Sequence, residues 1–101
     1  MSARPARILD GAQSETAYGG LATVWSELAL IWVALTPGAP RDASTGDAPP
    51  LRIETASALA RDDARLHRGQ RLAFAGEPPW TVTGVDHSHP RPGRMTLRLE
   101  R

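Results

Sequence analysis

Leu21-Ala22-Thr23-Val24-Trp25-Ser26-Glu27-Leu28-Ala29-Leu30-Ile31-Trp32-Val33-Ala34-Leu35, closed by Thr36-Pro37, is the stretch on which the fold turns. Read as a helix, it puts Val24, Leu28, Ile31 and Leu35 on one stripe and Trp25, Ala29 and Trp32 on another. Read as a strand, its second half is a nearly unbroken apolar block that stops at a proline, as a buried strand does. Propensity divides the same way, with Ala and Leu favouring helix and Trp, Ile and Val favouring strand. The neighbours break the tie. Everything downstream has a β pattern, so residues 21–35 are expected to be extended.

Upstream, Arg7-Ile8-Leu9-Asp10 reads as a short first strand and residues 12–20 as a polar, turn-rich connection. Gly19-Gly20 supplies the positive φ that a tight reversal needs. Downstream, residues 37–50 hold Pro37, Pro40, Pro49 and Pro50 with little apolar bulk, and read as a long flexible loop. Leu51-Arg52-Ile53-Glu54-Thr55 alternates like a half-buried strand. Residues 56–60 extend it or form a helical turn, and residues 61–65 read as a solvated charged connector.

The last third is the plainest. Arg71-Leu72-Ala73-Phe74 alternates, Gly76-Glu77-Pro78-Pro79 turns, and Trp80-Thr81-Val82-Thr83-Gly84-Val85 alternates back. That is a hairpin whose prolines fall where no ladder donor is lost. After a second turn over residues 87–93, Arg94-Met95-Thr96-Leu97-Arg98-Leu99-Glu100 forms a strand with Met95, Leu97 and Leu99 inward. The expected fold is mainly β: one domain over residues 1–101, a small barrel or sandwich of five to six short strands with long loops and room for one short helix.

A chain of 101 residues buries roughly 60–65% of its unfolded surface, which makes partners a natural source of stability. There is no cysteine, hence no disulfide and no thiolate metal site. Met1-Ser2-Ala3-Arg4-Pro5 lacks the apolar core of a signal peptide, and the longest apolar run, residues 28–35, falls far short of the ~20 residues that span a bilayer. A soluble protein kept inside the cell, with no membrane partner, is expected. Every basic residue is arginine, as in a GC-rich genome, and the net charge is +1. That balance lacks the concentrated basic face of an autonomous DNA-binding domain.

Chemistry-bearing clusters are few. In Asp86-His87-Ser88-His89, two histidines at i, i+2 could share a metal, but no third ligand stands at a recognisable spacing. Ser88 has neither a nucleophile elbow nor an oxyanion loop. Asp62 and Asp63 are adjacent on a polar connector and point apart, unlike an acid/base pair. Gly19-Gly20 lacks the context of a phosphate loop. Trp25, Trp32 and Trp80 could stack on bases, yet their apolar neighbours argue for core positions. No enzyme activity and no cofactor is expected.

The order Tyr18-Gly19-Gly20, Trp25, Trp32-Val33-Ala34-Leu35-Thr36-Pro37, a long loop, the strand at 51–55, the hairpin 69–85 and a final Leu97-Arg98-Leu99-Glu100-Arg101 resembles a known family. It is similar to the small head-closure, or stopper, proteins at the head–tail junction of long-tailed bacteriophages and of phage-derived gene transfer agents. The resemblance runs from about Arg7 to Arg101. It implies a non-enzymatic β-barrel forming a homo-oligomeric ring, a hexamer, in the neck of a particle assembled in the bacterial cytoplasm. Such a ring seals the DNA-filled head beneath portal and adaptor proteins, meets a tail terminator or tail tube protein on its other face, and lets double-stranded DNA through its channel. On that reading the charged residues of loop and connector, Arg41, Asp42, Asp47, Asp62, Asp63 and Arg65, are the candidate interface. Two alternatives remain open: a small OB-like module that binds single-stranded nucleic acid through exposed tryptophans, and a metal-assisted enzyme around His87 and His89.

Overall fold

Residues 21–37 are extended. In the computed structural model, which describes residues 3–43, 46 and 51–101, strand β2 (Leu21–Pro37) pairs antiparallel along its length with β1 (Arg4–Glu15). Val33 is wholly buried, and Ala29, Ile31 and Leu35 on the same face pack against the core. Helical stripes could not have given that period of two. One irregularity interrupts the ladder: Ile8 faces Ala29 but Leu9 faces Glu27, leaving Leu28 as the extra residue of a bulge.

The first strand is longer than its sequence suggests. Residues 12–15, expected within a connection, belong to β1 because each finds a partner in residues 21–24. The reversal is confined to residues 16–20, where the Gly19 N–H donates to the Thr16 carbonyl (3.1 Å) and the Thr16 N–H to the Gly20 carbonyl (2.8 Å). Gly19 sits at φ 79°, the left-handed region that its lack of a Cβ permits.

Beyond β2 come β3 (Arg41–Ala43), β4 (Leu51–Ile53), β5 (Thr55–Arg61), β6 (Arg71–Ala73), β7 (Trp80–Asp86) and β8 (Arg94–Glu100). Six of these strands close into a barrel in the order β1-β2-β5-β8-β7-β6, and β3 and β4 pair with each other outside it. Closure rests on three cross-strand pairs between β1 and β6: Arg7 with Ala73, Ile8 with Leu72 and Leu9 with Arg71. Among the described residues there is no helix, so residues 56–60 continue as strand.

The interior is built by pairing small with large. Ala56, Ala58 and Ala60 of β5 lie directly beside Leu99, Leu97 and Met95 of β8, and all six are buried. A narrow barrel fills its taper this way. Ala6, Ile8, Leu66, Leu72, Phe74, Trp80 and Val82, with Val33, complete the core.

Of residues 37–50, expected as a loop, residues 44, 45 and 47–50 lie outside the described residues, and residues 37–43 are not all loop. Arg41–Ala43 is strand, tied to Leu51–Ile53, and the approach to it is anchored to the barrel. The Gly38 N–H donates to the Thr55 carbonyl (2.8 Å), and the Thr55 hydroxyl donates to the Ala39 carbonyl (2.6 Å).

Candidate functional site

Residues 10–15 and 21–26 form a two-stranded arm, since β6 pairs with β1 only as far as Leu9. Six residue pairs at about 3.3 Å per residue project roughly 20 Å, in keeping with a molecule 47 Å long against 33 and 27 Å across. At its root the Trp25 ring lies on Gly11, where a Cβ would come within 3.0 Å of ring carbon. The Arg71 guanidinium stacks over the same ring, 4.1 Å from its centre. Gly11 thus makes room for a Trp–Arg stack that braces the arm. At the tip Tyr18 is 99% exposed.

On the barrel wall, Leu30 and Trp32 point outward from β2, and Trp32 is 62% exposed. Val33 pairs with Ala60, so Trp32 stands next to Arg61, which itself faces Arg94 across the β5–β8 pair. Trp32, Arg61 and Arg94 border two shallow clefts, one continuing to Asp62, Asp63 and Arg65 and the other to Arg91. Arg61, Arg91 and Arg94 take part in none of the ion pairs among the described residues. Two arginines directly opposite with no acid between them repel, so this wall holds uncompensated positive charge beside exposed apolar surface.

The residues expected at the interface divide into two groups. Arg41 lies on β3 and grips Glu100 of β8 with two hydrogen bonds, 2.8 and 3.0 Å. It fastens the β3–β4 pair to the barrel. Asp42 is exposed beside Arg52, its cross-strand partner. Asp47 lies outside the described residues. Asp62, Asp63 and Arg65 sit at the clefts, but each is engaged within the chain. Asp62 pairs with the His87 ring. Asp63 accepts from the Arg65 backbone N–H (2.9 Å) and from its guanidinium (3.1 and 2.8 Å). Gln70, almost wholly buried, holds this connector from beneath: its amide accepts from the His67 N–H and donates to the Arg65 carbonyl, both at 2.9 Å.

His87 is taken by Asp62, and Asp86, Ser88 and His89 serve their own turn. Asp86 accepts from the Ser88 N–H (2.9 Å) and hydroxyl (2.6 Å), and the His89 ring accepts from the Arg91 N–H (3.0 Å). No group of three potential metal ligands occurs among the described residues.

Four carboxyls are held below their ordinary range: Asp63 by Arg65, Glu77 by Arg4, Asp86 by the Ser88 hydroxyl and Glu100 by Arg41. A lowered native pKa means that the folded state binds its proton later than the unfolded state. Stability from these groups is therefore complete above pH ~4 and is lost as pH falls from there through the lowered native values. All four lie near solvent, so the expected loss is small. Urea midpoints measured across the acid range should fall below about pH 4, and midpoints that rise there would contradict these pairings.

Trp32, Leu30 and the arginines around them escaped the sequence reading, as did the arm. Leu30-Ile31-Trp32-Val33 is apolar on both faces of the strand, so alternation cannot say which face is inside. Trp80 is the one tryptophan that occupies the expected core position; Trp25 is half-buried, and Trp32 is on the surface.

No family model and no curated protein matches the chain. Solved structures do. A chain of the virion of a native gene transfer agent particle superposes with a TM-score of 0.73 at 16% identity, over 96% of this chain and 91% of that one. A Shigella flexneri 2a protein solved in solution superposes with a TM-score of 0.63 at 11% identity, over 97% and 90%. At such identities the likeness establishes the fold: this chain has the barrel of a component of a gene transfer agent virion.

Proposed function

We propose that this protein is a structural component of a phage-like particle, and within it a ring-forming head-closure protein at the junction of head and tail. The observation that carries the reading is the likeness of fold over nearly the whole of both chains to a chain of a gene transfer agent virion. Surface chemistry supports it. Tyr18, Leu21, Val24, Leu28, Leu30 and Trp32 are large apolar side chains left in water, more than a small monomer needs to expose and characteristic of an assembling part. The near-neutral charge suits a channel through which double-stranded DNA must slide, because a strongly basic lining would hold it by its phosphates. The ring, a hexamer, meets portal and adaptor proteins on the head side and a tail terminator or tube protein on the other. It does no chemistry and needs no cofactor.

Deleting the gene in the producing cell should leave DNA-filled heads without tails. A tagged copy supplied back should restore whole particles and carry its label at the neck. Normal particles without the gene would overturn the proposal; a label on the capsid or tail fibre would keep the particle and retire the neck. Single-strand nucleic-acid binding has one observation in its favour, the exposed Trp32 beside unpaired arginines. Quenching of tryptophan fluorescence by an oligonucleotide, falling steeply with salt, would reveal it.

A further inference from the structure

We propose that the arm of one copy docks on the Trp32 wall of the next, joining copies of this chain head to tail. The inference rests on the ring reading above and names the contact that would build the ring.

Both surfaces are unsatisfied, and in opposite senses. Residues 10–28 carry Asp10, Glu15 and Glu27 and not one basic residue. Glu15 and Glu27 form no ion pair among the described residues. Glu15, on the arm, faces Leu21, and Glu27, one residue past its root, faces Leu9. Both lie on the side of the Trp25–Gly11 pair, two and one cross-strand steps from it, with the Arg71 guanidinium on the Trp25 ring between them. The wall is the basic counterpart: Arg61, Arg91 and Arg94 without carboxylate partners, around Trp32 and Leu30. An acidic ribbon with Tyr18 and Leu21 exposed meets a basic wall with an exposed tryptophan. Aromatic and arginine side chains at the centre of a patch are those that carry most binding energy.

A chain cannot satisfy itself in this way. β2 continues from the arm, past the bulge at Leu28, into Leu30 and Trp32, so within one molecule the arm points away from the wall. Leu30 and Trp32 of that wall stand about 13 and 20 Å along the strand from the arm's root at Ser26. Only another copy's arm can reach it. A two-stranded ribbon standing alone is marginal in water, so the arm gains order from the contact as well as supplying it. Because donor and acceptor are different surfaces, the contact is heterologous. It closes into a ring if the rotation between neighbours allows and otherwise grows as a filament.

The test uses the full chain, purified and also within particles. Sedimentation velocity over a range of concentrations at low salt compares the native chain with E15R/E27R, with R61E/R94E and with all four changes together. Each reversed pair should weaken self-association at least ten-fold, and the fourfold variant should regain most of it, with circular dichroism confirming folding. Because the chain has no cysteine, Y18C with R91C introduces the only thiols. On oxidation that variant should give a ladder of covalent multimers, while either single variant stops at a dimer. Should the fourfold variant not fold, this ladder decides the question. Self-association equally strong in both reversed pairs, with no ladder, would overturn the arm contact and leave a ring built through another face. A chain that neither associates nor cross-links, even in particles, would overturn contact and ring together. If R61E/R94E loses oligonucleotide binding while self-association stays intact, the wall belongs to nucleic acid and the proposal fails.

Discussion

Leu97→Ala should cost about 2–5 kcal/mol, the range for removing a leucine from a packed core, and leave a large share of the chain unfolded. Leu97 has no exposed surface. It lies in β8 between Ala58 of β5 and Val85 of β7, and nothing on the β5 side is large enough to lean into the space it leaves. Sites that cannot collapse stand at the upper end of that range. A domain has typically 5–15 kcal/mol in total, with small ones toward the lower end, so one truncation removes much of it. The same geometry predicts a partial rescue. Ala58→Leu alone should overpack the barrel at a cost of about 1–3 kcal/mol. Combined with Leu97→Ala it moves the large side chain across the pair and nearly conserves volume, so the double variant should be more stable than the sum of the singles implies. Urea unfolding followed by tryptophan fluorescence, to which buried Trp80 contributes, and by circular dichroism measures all three. A loss below about 1 kcal/mol for Leu97→Ala, or strict additivity in the double, would mean that β5 and β8 are not packed as described.

That alanine stripe also marks the limit of what the sequence reveals. The inward parity of β8 is legible because Met95, Leu97 and Leu99 alternate with Arg94, Arg98 and Glu100, a contrast in polarity as well as size. In β5 the inward residues are alanines, while the larger Leu59 is only half-buried on the other face. Hydrophobicity there runs against burial, and only the neighbouring strand explains why. The β6–β7 hairpin and the Gly19 turn were legible for the opposite reason, since prolines and positive-φ glycines act locally. The arm was hidden because residues 12–15 owe their strand state entirely to partners in residues 21–24 and carry no pattern of their own. The candidate interface was drawn on charge, and charge does not show pairing: Arg41, Asp63 and Arg65 are engaged in internal ion pairs. Arg61 and Arg94 are left without an acid because they face each other across the β5–β8 pair, a fact of register that one-dimensional reading does not contain.

Removing the arm should separate folding from assembly completely. Residues 12–24 can be replaced by Asn-Gly, which turns Gly11 directly into Trp25, its cross-strand partner, through the two-residue connection that hairpins favour. The excised residues pair only with one another, and β1 still meets β6 through Arg7, Ile8 and Leu9. Trp25 stays on Gly11 under Arg71, so the bracing stack survives. Closing a shorter connection changes the entropy of folding by only about 1 kcal/mol in either direction, and the urea midpoint should hardly move. Assembly, by contrast, should be lost outright. The variant removes Glu15, Tyr18, Leu21 and Val24 at once, and with them nearly every apolar group the arm could insert into a neighbour. Supplied as the sole copy in the producing cell, it should accumulate as folded monomer, and heads should stay tailless. Mixed with the native chain it should cap growing assemblies, since it keeps the Trp32 wall that accepts an arm but has none to offer, so excess variant should shorten or abolish rings in proportion to its share. Whole, DNA-transferring particles built from the armless chain would show that the arm is dispensable. The ring would then have to close through the barrel walls alone, with Trp32 and its arginines as the first surface to search.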